Sequence, residues 1–384
     1  MQNHRTSLDN FSSGISEEKD EIFPFIKRNT MTIRDLLLSE EEDNTNYEIT
    51  EKAGHTEVQP FIVPAGGSDL MQDQELLRER HTPFIIANTS EVSLEHLRRD
   101  CIIPVFSRDN ERTISHQEFI TGVEEIARDY FSGLVLSGPE IRVSHQIKGR
   151  VPSAIYKDRK ELLEAEKTIY YERMAFVFQV ENFTKVINGN PLKLTIGGVR
   201  SYNDQNLYGK KSLEKFRFFI GYKNMVCCNM CVSTDGLLED LRVSTIEDLQ
   251  SRILKVMSDY DAEQHFEELQ LLSNYSLTEH QFAQLIGRCR LYHFLANKER
   301  KQIPELLFND SHLNTVAKDY YKDENFNRGE DGTINLWSLY NLFTQANKSS
   351  YIDSFLERDL NAFEFCKGIQ EALNGSSPYH WFLS

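Results

Sequence analysis

Lys215-Phe216-Arg217-Phe218-Phe219-Ile220-Gly221-Tyr222-Lys223 sets Phe216, Phe218, Ile220 and Tyr222 at every second position, with Lys215, Arg217 and Lys223 between them. Side chains two apart on a strand share a face, so this stretch predicts a strand with one apolar and one basic side. Three stretches upstream repeat the pattern. Ile141, Val143 and Ile147 alternate with Arg142, Ser144, Gln146 and Lys148; Met174, Phe176, Phe178 and Val180 share a face; Leu192, Leu194 and Ile196 oppose Lys193 and Thr195. Asn188-Gly189-Asn190-Pro191 supplies a tight turn before the last of these, and Arg159 to Thr168 reads as a charged helical stretch after the first. The apolar side is expected on helices and the basic side outward.

Working outward, order begins near Pro83. Phe84-Ile85-Ile86 and Ile102-Ile103-Pro104-Val105-Phe106 read as short strands around a small helix at Leu94–Arg99. Ser115 and Glu118 have capping-box spacing, and Phe119, Val123, Ile126 and Tyr130 follow at helical intervals up to about Gly133. From about residue 244 the periodicity is helical: Ile246, Leu249, Ile253 and Val256; then Ser276 and Glu279 as a second box leading into Phe282, Leu285, Ile286 and Cys289; then a helix after Asp310; then Leu336, Leu339, Tyr340 and Phe343. The class is α+β: an antiparallel sheet with one basic face, packed on helices, followed by an α-helical C-terminal part. Three regions follow: an acidic, mostly disordered arm at 1–80, a sheet domain at 81–238 and a helical region at 239–384.

Charge separates these regions. The chain has 384 residues and a net charge of −16. Residues 1–80 carry 8 basic and 17 acidic residues, 81–238 carry 21 and 19, and 239–384 carry 14 and 23, giving −9, +2 and −9. Within the middle, 140–223 holds 16 basic and 9 acidic residues, a local +7. No stretch approaches the roughly 18 apolar residues of a membrane span, and the opening Met1 to Ile15 shows no export signal, so a cytoplasmic protein without a membrane partner is expected.

The outward basic set comprises Arg142, Lys148, Arg150, Arg173, Lys193, Lys215, Arg217 and Lys223, with Lys210, Lys211, Tyr202 and Tyr208 in the adjoining connection. Clustered cations neutralise phosphates and exposed aromatics stack on bases, so these residues form a candidate nucleic-acid-binding face. Cations on the wet side of a half-buried sheet are also ordinary solvation. Cys227, Cys228 and Cys231 contain one C-x-x-C, but a structural zinc needs four ligands, and buried packing explains them as well; no cofactor is expected. Asn327 to Ser338 resembles a calcium loop only in part and reads as a helix-to-helix turn, and Gly209-Lys210-Lys211-Ser212 lacks the upstream glycine of a phosphate loop. Gly197-Gly198 reads as a bulge or a close backbone approach. Neither G-x-S-x-G nor H-E-x-x-H occurs, which points away from catalysis.

Four blocks resemble a bacterial domain-of-unknown-function family, number 3871. They are Phe216 to Asn229, Gly332 to Asp353, Pro139 to His145, and Tyr379-His380-Trp381-Phe382. More distantly, Ser201-Tyr202-Asn203-Asp204, Cys228-Asn229, and Trp337, Asn341 and Thr344 are similar to elements of a phage- and plasmid-associated family, number 932, although the order Tyr202-Asn203-Asp204 departs from its pattern. The resemblance implies residence on mobile elements and brings no catalytic residues.

The resulting expectation is a nucleic-acid-associated protein that holds single-stranded or partly unpaired nucleic acid on its basic sheet face, without catalysis. The acidic arm would compete for that face as an intramolecular polyanion. The alternatives are a protein-interaction module docking a host or element-encoded partner through its acidic helical half, and an enzyme with a spatially assembled site.

Overall fold

The computed structural model describes residues 82–103, 113–204, 213–375 and 377–384. The acidic arm at 1–80, the expected strand residues Pro104 to Phe106, and Tyr208, Lys210 and Lys211 lie outside the described residues.

Six strands pair antiparallel in sequence order: β1 Ser90–Glu91, β2 Glu140–Arg150, β3 Lys167–Ile187, β4 Asn190–Ser201, β5 Glu214–Asn224 and β6 Met230–Val243. The β3–β4 turn shows why this meander forms. Asn188 and Gly189 take φ of 49° and 79° between the paired Ile187 and Asn190, a two-residue geometry that matches the strand twist. Helix α1 (Leu94–Arg99) and helix α2 (His116–Tyr130) precede β2, and the Ser115–Glu118 capping box forms as its spacing predicts.

The register follows the period-two reading, and both sides of the sheet centre are covered. One side carries Met174, Phe176, Phe178, Leu194, Ile196, Phe216, Phe218, Ile220 and Tyr222, all buried. Phe119 of α2 packs on it, its ring 5.2 Å from Phe176 and 4.8 Å from Phe216. A Cβ on Gly198 would stand 2.5 Å from Phe119 and one on Gly197 2.3 Å from the Phe176 carbonyl, so the glycine pair serves close approach; β4 keeps its register through it. The opposite side, expected outward, bears Ala175, Val177, Val199 and Phe219, buried beneath Phe84, Ile85 and the start of helix α9 (Ile352–Asn374) through Ile352, Phe355 and Leu356.

Between sheet and α9 lie α3 (Ile246–Asp259), α4 (Ala262–Leu272), β7 (Ser276–Leu277), α5 (Glu279–Tyr292), α6 (Asn297–Arg300), α7 (Asp310–Lys322), β8 (Ile334–Asn335) and α8 (Leu336–Asn347). Strands β7 and β8 pair, tying two interhelical connections together. The turn at 323–335 joins α7 to α8, and its Asp331 carboxylate accepts from Thr333 N at 3.0 Å within the loop.

Several local expectations are corrected. Phe84 to Ile86 is not a strand: the amides of Ile86 and Ala87 both donate to the Lys348 carbonyl, and Phe84 and Ile85 plug the sheet. Residues 159–166 form turns ending in a 3-10 turn at Glu164–Glu166, because they close the β2–β3 hairpin, and Lys167 and Thr168 already belong to β3. The second capping box belongs to Thr278 and Gln281; Ser276 lies in β7. Strand β6 escaped the reading because register shifts at Phe216/Phe218 and Phe219/Gly221 break its alternation. It also runs through residue 238, so the sheet domain boundary set there falls inside a strand, and α9 shares a core with the sheet.

Two of the blocks that carry the family resemblance meet in a buried polar clasp. Asn341 Oδ1 on α8 accepts from Asn224 Nδ2 at 3.0 Å and from the Cys227 thiol at 3.7 Å, and Asn229 Nδ2 donates to the Asn341 carbonyl at 2.9 Å. Trp337 Nε1 reaches Asn190 Oδ1 at 3.0 Å, and buried Lys348 donates to the Cys227 carbonyl. A buried donor stripped of its acceptor bears its full desolvation cost. Asn341→Leu is therefore expected to lower unfolding free energy by about 2 kcal/mol, read as a reduced urea midpoint.

Candidate nucleic-acid interface

Period-two geometry brings six of the expected cations onto one face. Cross-strand pairs place Arg142 beside Ala175, Ser201 beside Arg173, Val199 beside Arg217 and Lys193 beside Lys223, all on the side that α9 covers, and Lys215 falls on that side by alternation. Each is answered by a carboxylate. Arg142 faces Glu91 at 3.7 Å and donates to Thr89; Arg173 meets Asp353 at 3.3 Å; Lys193 pairs with Glu181; Lys215 faces Asp240 at 3.7 Å; Lys223 holds Glu140 at 2.8 Å. Arg217 meets Asp204 at 3.0 Å and Glu357 at 3.5 Å. Two of these acids, Asp353 and Glu357, come from the first turns of α9, where a helix N-terminus favours negative charge. The helix that buries the apolar part of this face thus answers Arg173 and Arg217, and carboxylates of the strands and their connections answer the other four.

Tyr202 offers no exposed ring. It is buried, stacked on His116 with centroids 4.4 Å apart, and the Arg200 guanidinium lies 4.6 Å from its centre. Arg200 and Glu214 form a fully buried ion pair there, and Arg200 also donates to the Ile114 carbonyl. Arg200 pairs across from Met174 on the apolar side, and Glu214 follows it inside.

Lys148 and Arg150 behave differently. Strand β4 pairs with β3 only from Arg173 onward, so 145–150 and 167–172 continue past β4 as a two-stranded ribbon. At roughly 3.3 Å per residue the projection is about 20 Å long. Beside it, Ile102 N donates to the Ile169 carbonyl at 2.9 Å, and Tyr171 Oη lies 3.1 Å from His96 Nε2. Lys148, Arg150 and Lys167 sit on the extension of the basic face. At the hairpin end Lys157 pairs with Glu166 and Lys167 with Glu164, whereas Lys148, Arg159 and Lys160 are exposed and form no ion pair among the described residues. Ile155, Leu163 and Tyr156 are exposed beside them, Tyr156 at 99%. The helical reading of 159–168 hides this tip from the sequence. The signal present was Tyr156 within the cluster Lys157, Arg159 and Lys160.

The cysteines sit in packed surroundings. Burial pushes the Cys227 thiol up to about 12 and that of Cys231 well above its usual range, so neither is poised as a thiolate. Cys228 is buried at a left-handed φ of 58° in the β5–β6 turn. No group of three or more metal-ligating side chains assembles among the described residues.

Together these features define an α+β protein with a sheet buried on both sides and one basic, aromatic-tipped ribbon reaching solvent. A family model described as "Domain of unknown function, B. Theta Gene description (DUF3871)" matches residues 70–383, and the chain belongs to that family. Neither the curated proteins nor the solved structures gave a match. Among the described residues no helix is long and apolar enough to cross a membrane.

The buried histidines set a pH response. Burial, with Lys367 adding to it, lowers His265 to about 3, and burial with Arg200 lowers His116 to about 3. The unfolded chain takes up these protons below about pH 6.5 and the folded chain does not, so this stability is complete above 6.5 and lost as pH falls toward 3. His265 also bonds the Tyr260 hydroxyl at 2.7 Å. His265→Phe is expected to cost about 1 kcal/mol at pH 7.5 through that lost bond. At pH 5 the wild type forfeits about 2 kcal/mol at this site, so the variant should equal or exceed it in urea titrations.

Proposed function

We propose that this protein binds nucleic acid without catalysis, and that the β2–β3 ribbon, not the centre of the sheet, makes the contact. The observation that carries the reading is that Lys148, Arg159 and Lys160, on the ribbon and in the connection that bears the exposed Tyr156, are exposed and form no ion pair among the described residues, on a ribbon continuous with the basic face. Ammonium and guanidinium groups without carboxylate partners are free to replace the counterions of phosphates, and an open aromatic ring accepts a base. The ligand class is single-stranded or partly unpaired nucleic acid. Residence on mobile elements belongs to the same proposal, supported by the similarity of Cys228-Asn229 and Trp337, Asn341 and Thr344 to phage- and plasmid-associated sequences. Six free thiols fit a cytoplasmic setting.

The test is fluorescence anisotropy with a labelled single-stranded oligonucleotide across a salt series. Replacing Lys148, Arg159 and Lys160 together by Glu is expected to weaken binding at least ten-fold at low salt and to flatten the salt slope by about 2. Lys193→Gln, which acts on a cation already held by Glu181, should leave both unchanged. Affinity unaltered by the triple replacement would overturn the reading. A second reading, docking of a host or element-encoded protein, is favoured by one observation: Ile155 and Leu163 expose 60% and 65% of their surface beside Tyr156. It predicts one stoichiometric partner lost with Ile155→Asp and no retained oligonucleotide.

A further inference from the structure

Tyr156 combines full exposure with a braced backbone. Val151 N donates to the Glu166 carbonyl at 2.9 Å across the hairpin, Ala154 N to the Val151 carbonyl at 2.9 Å, and Lys157 N to the Ala154 carbonyl at 3.1 Å. Ala154 is buried, the Arg150 side chain donates to the Lys157 carbonyl, and Lys157 pairs with Glu166. These bonds fix the backbone from which the ring projects, so the chain need not reorder to present it. Among the described residues no second ring packs against it, and the exposed apolar side chains of the same connection are Ile155 and Leu163. One ring with an aliphatic surround suits a broad flat surface that is already stacked on its far side. The last base pair of a duplex presents that surface. Lys148 is exposed two residues before Arg150 on the strand that leads to the tip, and Arg159 and Lys160 are exposed just after Tyr156, so free cations precede and follow the ring along the chain.

Resting on the nucleic-acid reading above, we infer that the ribbon recognises a junction between paired and unpaired strands, with Tyr156 capping the terminal base pair and Lys148, Arg159 and Lys160 meeting the phosphates next to it. A continuous duplex hides its pair faces, and a free single strand offers no pair to cap, so the junction is the form that satisfies both halves of the ribbon.

The test compares three fluorescein-labelled DNA probes on the full chain: a forked duplex, a single strand of the same length and an end-closed dumbbell duplex. The fork is expected to bind roughly ten-fold tighter than either of the others, the value of one base stack. Tyr156→Ala should remove that preference while leaving dumbbell binding in place, and Tyr156→Phe should retain it. A 2-aminopurine at the junction should lose fluorescence with the wild type and not with Tyr156→Ala. Equal binding of all three probes, or an equal loss on all three with Tyr156→Ala, would overturn the junction while leaving nucleic-acid binding standing. Failure of every probe at low salt would overturn both together.

Discussion

Burial of the sheet on both sides is the constraint from which the rest of this structure follows. An antiparallel sheet can leave one face to water, and alternating sequence usually announces that choice. Here the alternation is real, yet the polar side of β3, β4 and β5 is interrupted near its middle by Ala175, Val177, Val199 and Phe219. That apolar centre demands a cover, and the start of α9 with Phe84 and Ile85 supplies it. Cations flanking the centre then have to be answered by carboxylates, and Asp353 and Glu357 arrive on the covering helix itself.

This arrangement explains where the basic excess of the middle segment goes. Isolated charges cannot be taken out of water cheaply, so Arg217 and Lys223, the most buried of the set, each keep a carboxylate within 3.0 Å. Arg200 and Glu214 carry the same logic to full burial, with Tyr202 and Phe216 on the guanidinium faces. Where β3 outruns β4, the basic face carries Lys148, which is exposed and forms no ion pair among the described residues. The ribbon is therefore the part of the sheet whose chemistry remains available to a ligand.

Much of the fold was legible because it is local. The two-residue turn at Asn188-Gly189, the Ser115–Glu118 box and the strand faces are each set by residues near one another, and the structure reproduces them. What was not legible is set by distance. The polar clasp joins Asn224 and Asn229 to Asn341 across more than a hundred residues, and no spacing announces it. Helix α9 buries Phe355, Leu356, Ala362, Phe363, Phe365, Cys366 and Ile369 on several sides, which blurs the stripe by which a helix covering one surface is recognised. Without α9 in view, the cations it neutralises read as a solvated face. Six strand cations share one side as alternation predicts, and the pairing of Arg173 and Arg217 was decided by a helix that periodicity did not mark.

The central claim, that the basic sheet face is covered and the ribbon is not, is tested most directly by lysine labelling of the folded protein with an acylating reagent, followed residue by residue by mass spectrometry. Lys148 and Lys160, exposed in the structure, should react in the first phase. Lys223 and Lys348, buried at 2% and 1% exposure, should react only as the protein unfolds. Reaction of Lys223 at the rate of Lys148 under native conditions would show the face open to solvent and contradict the account.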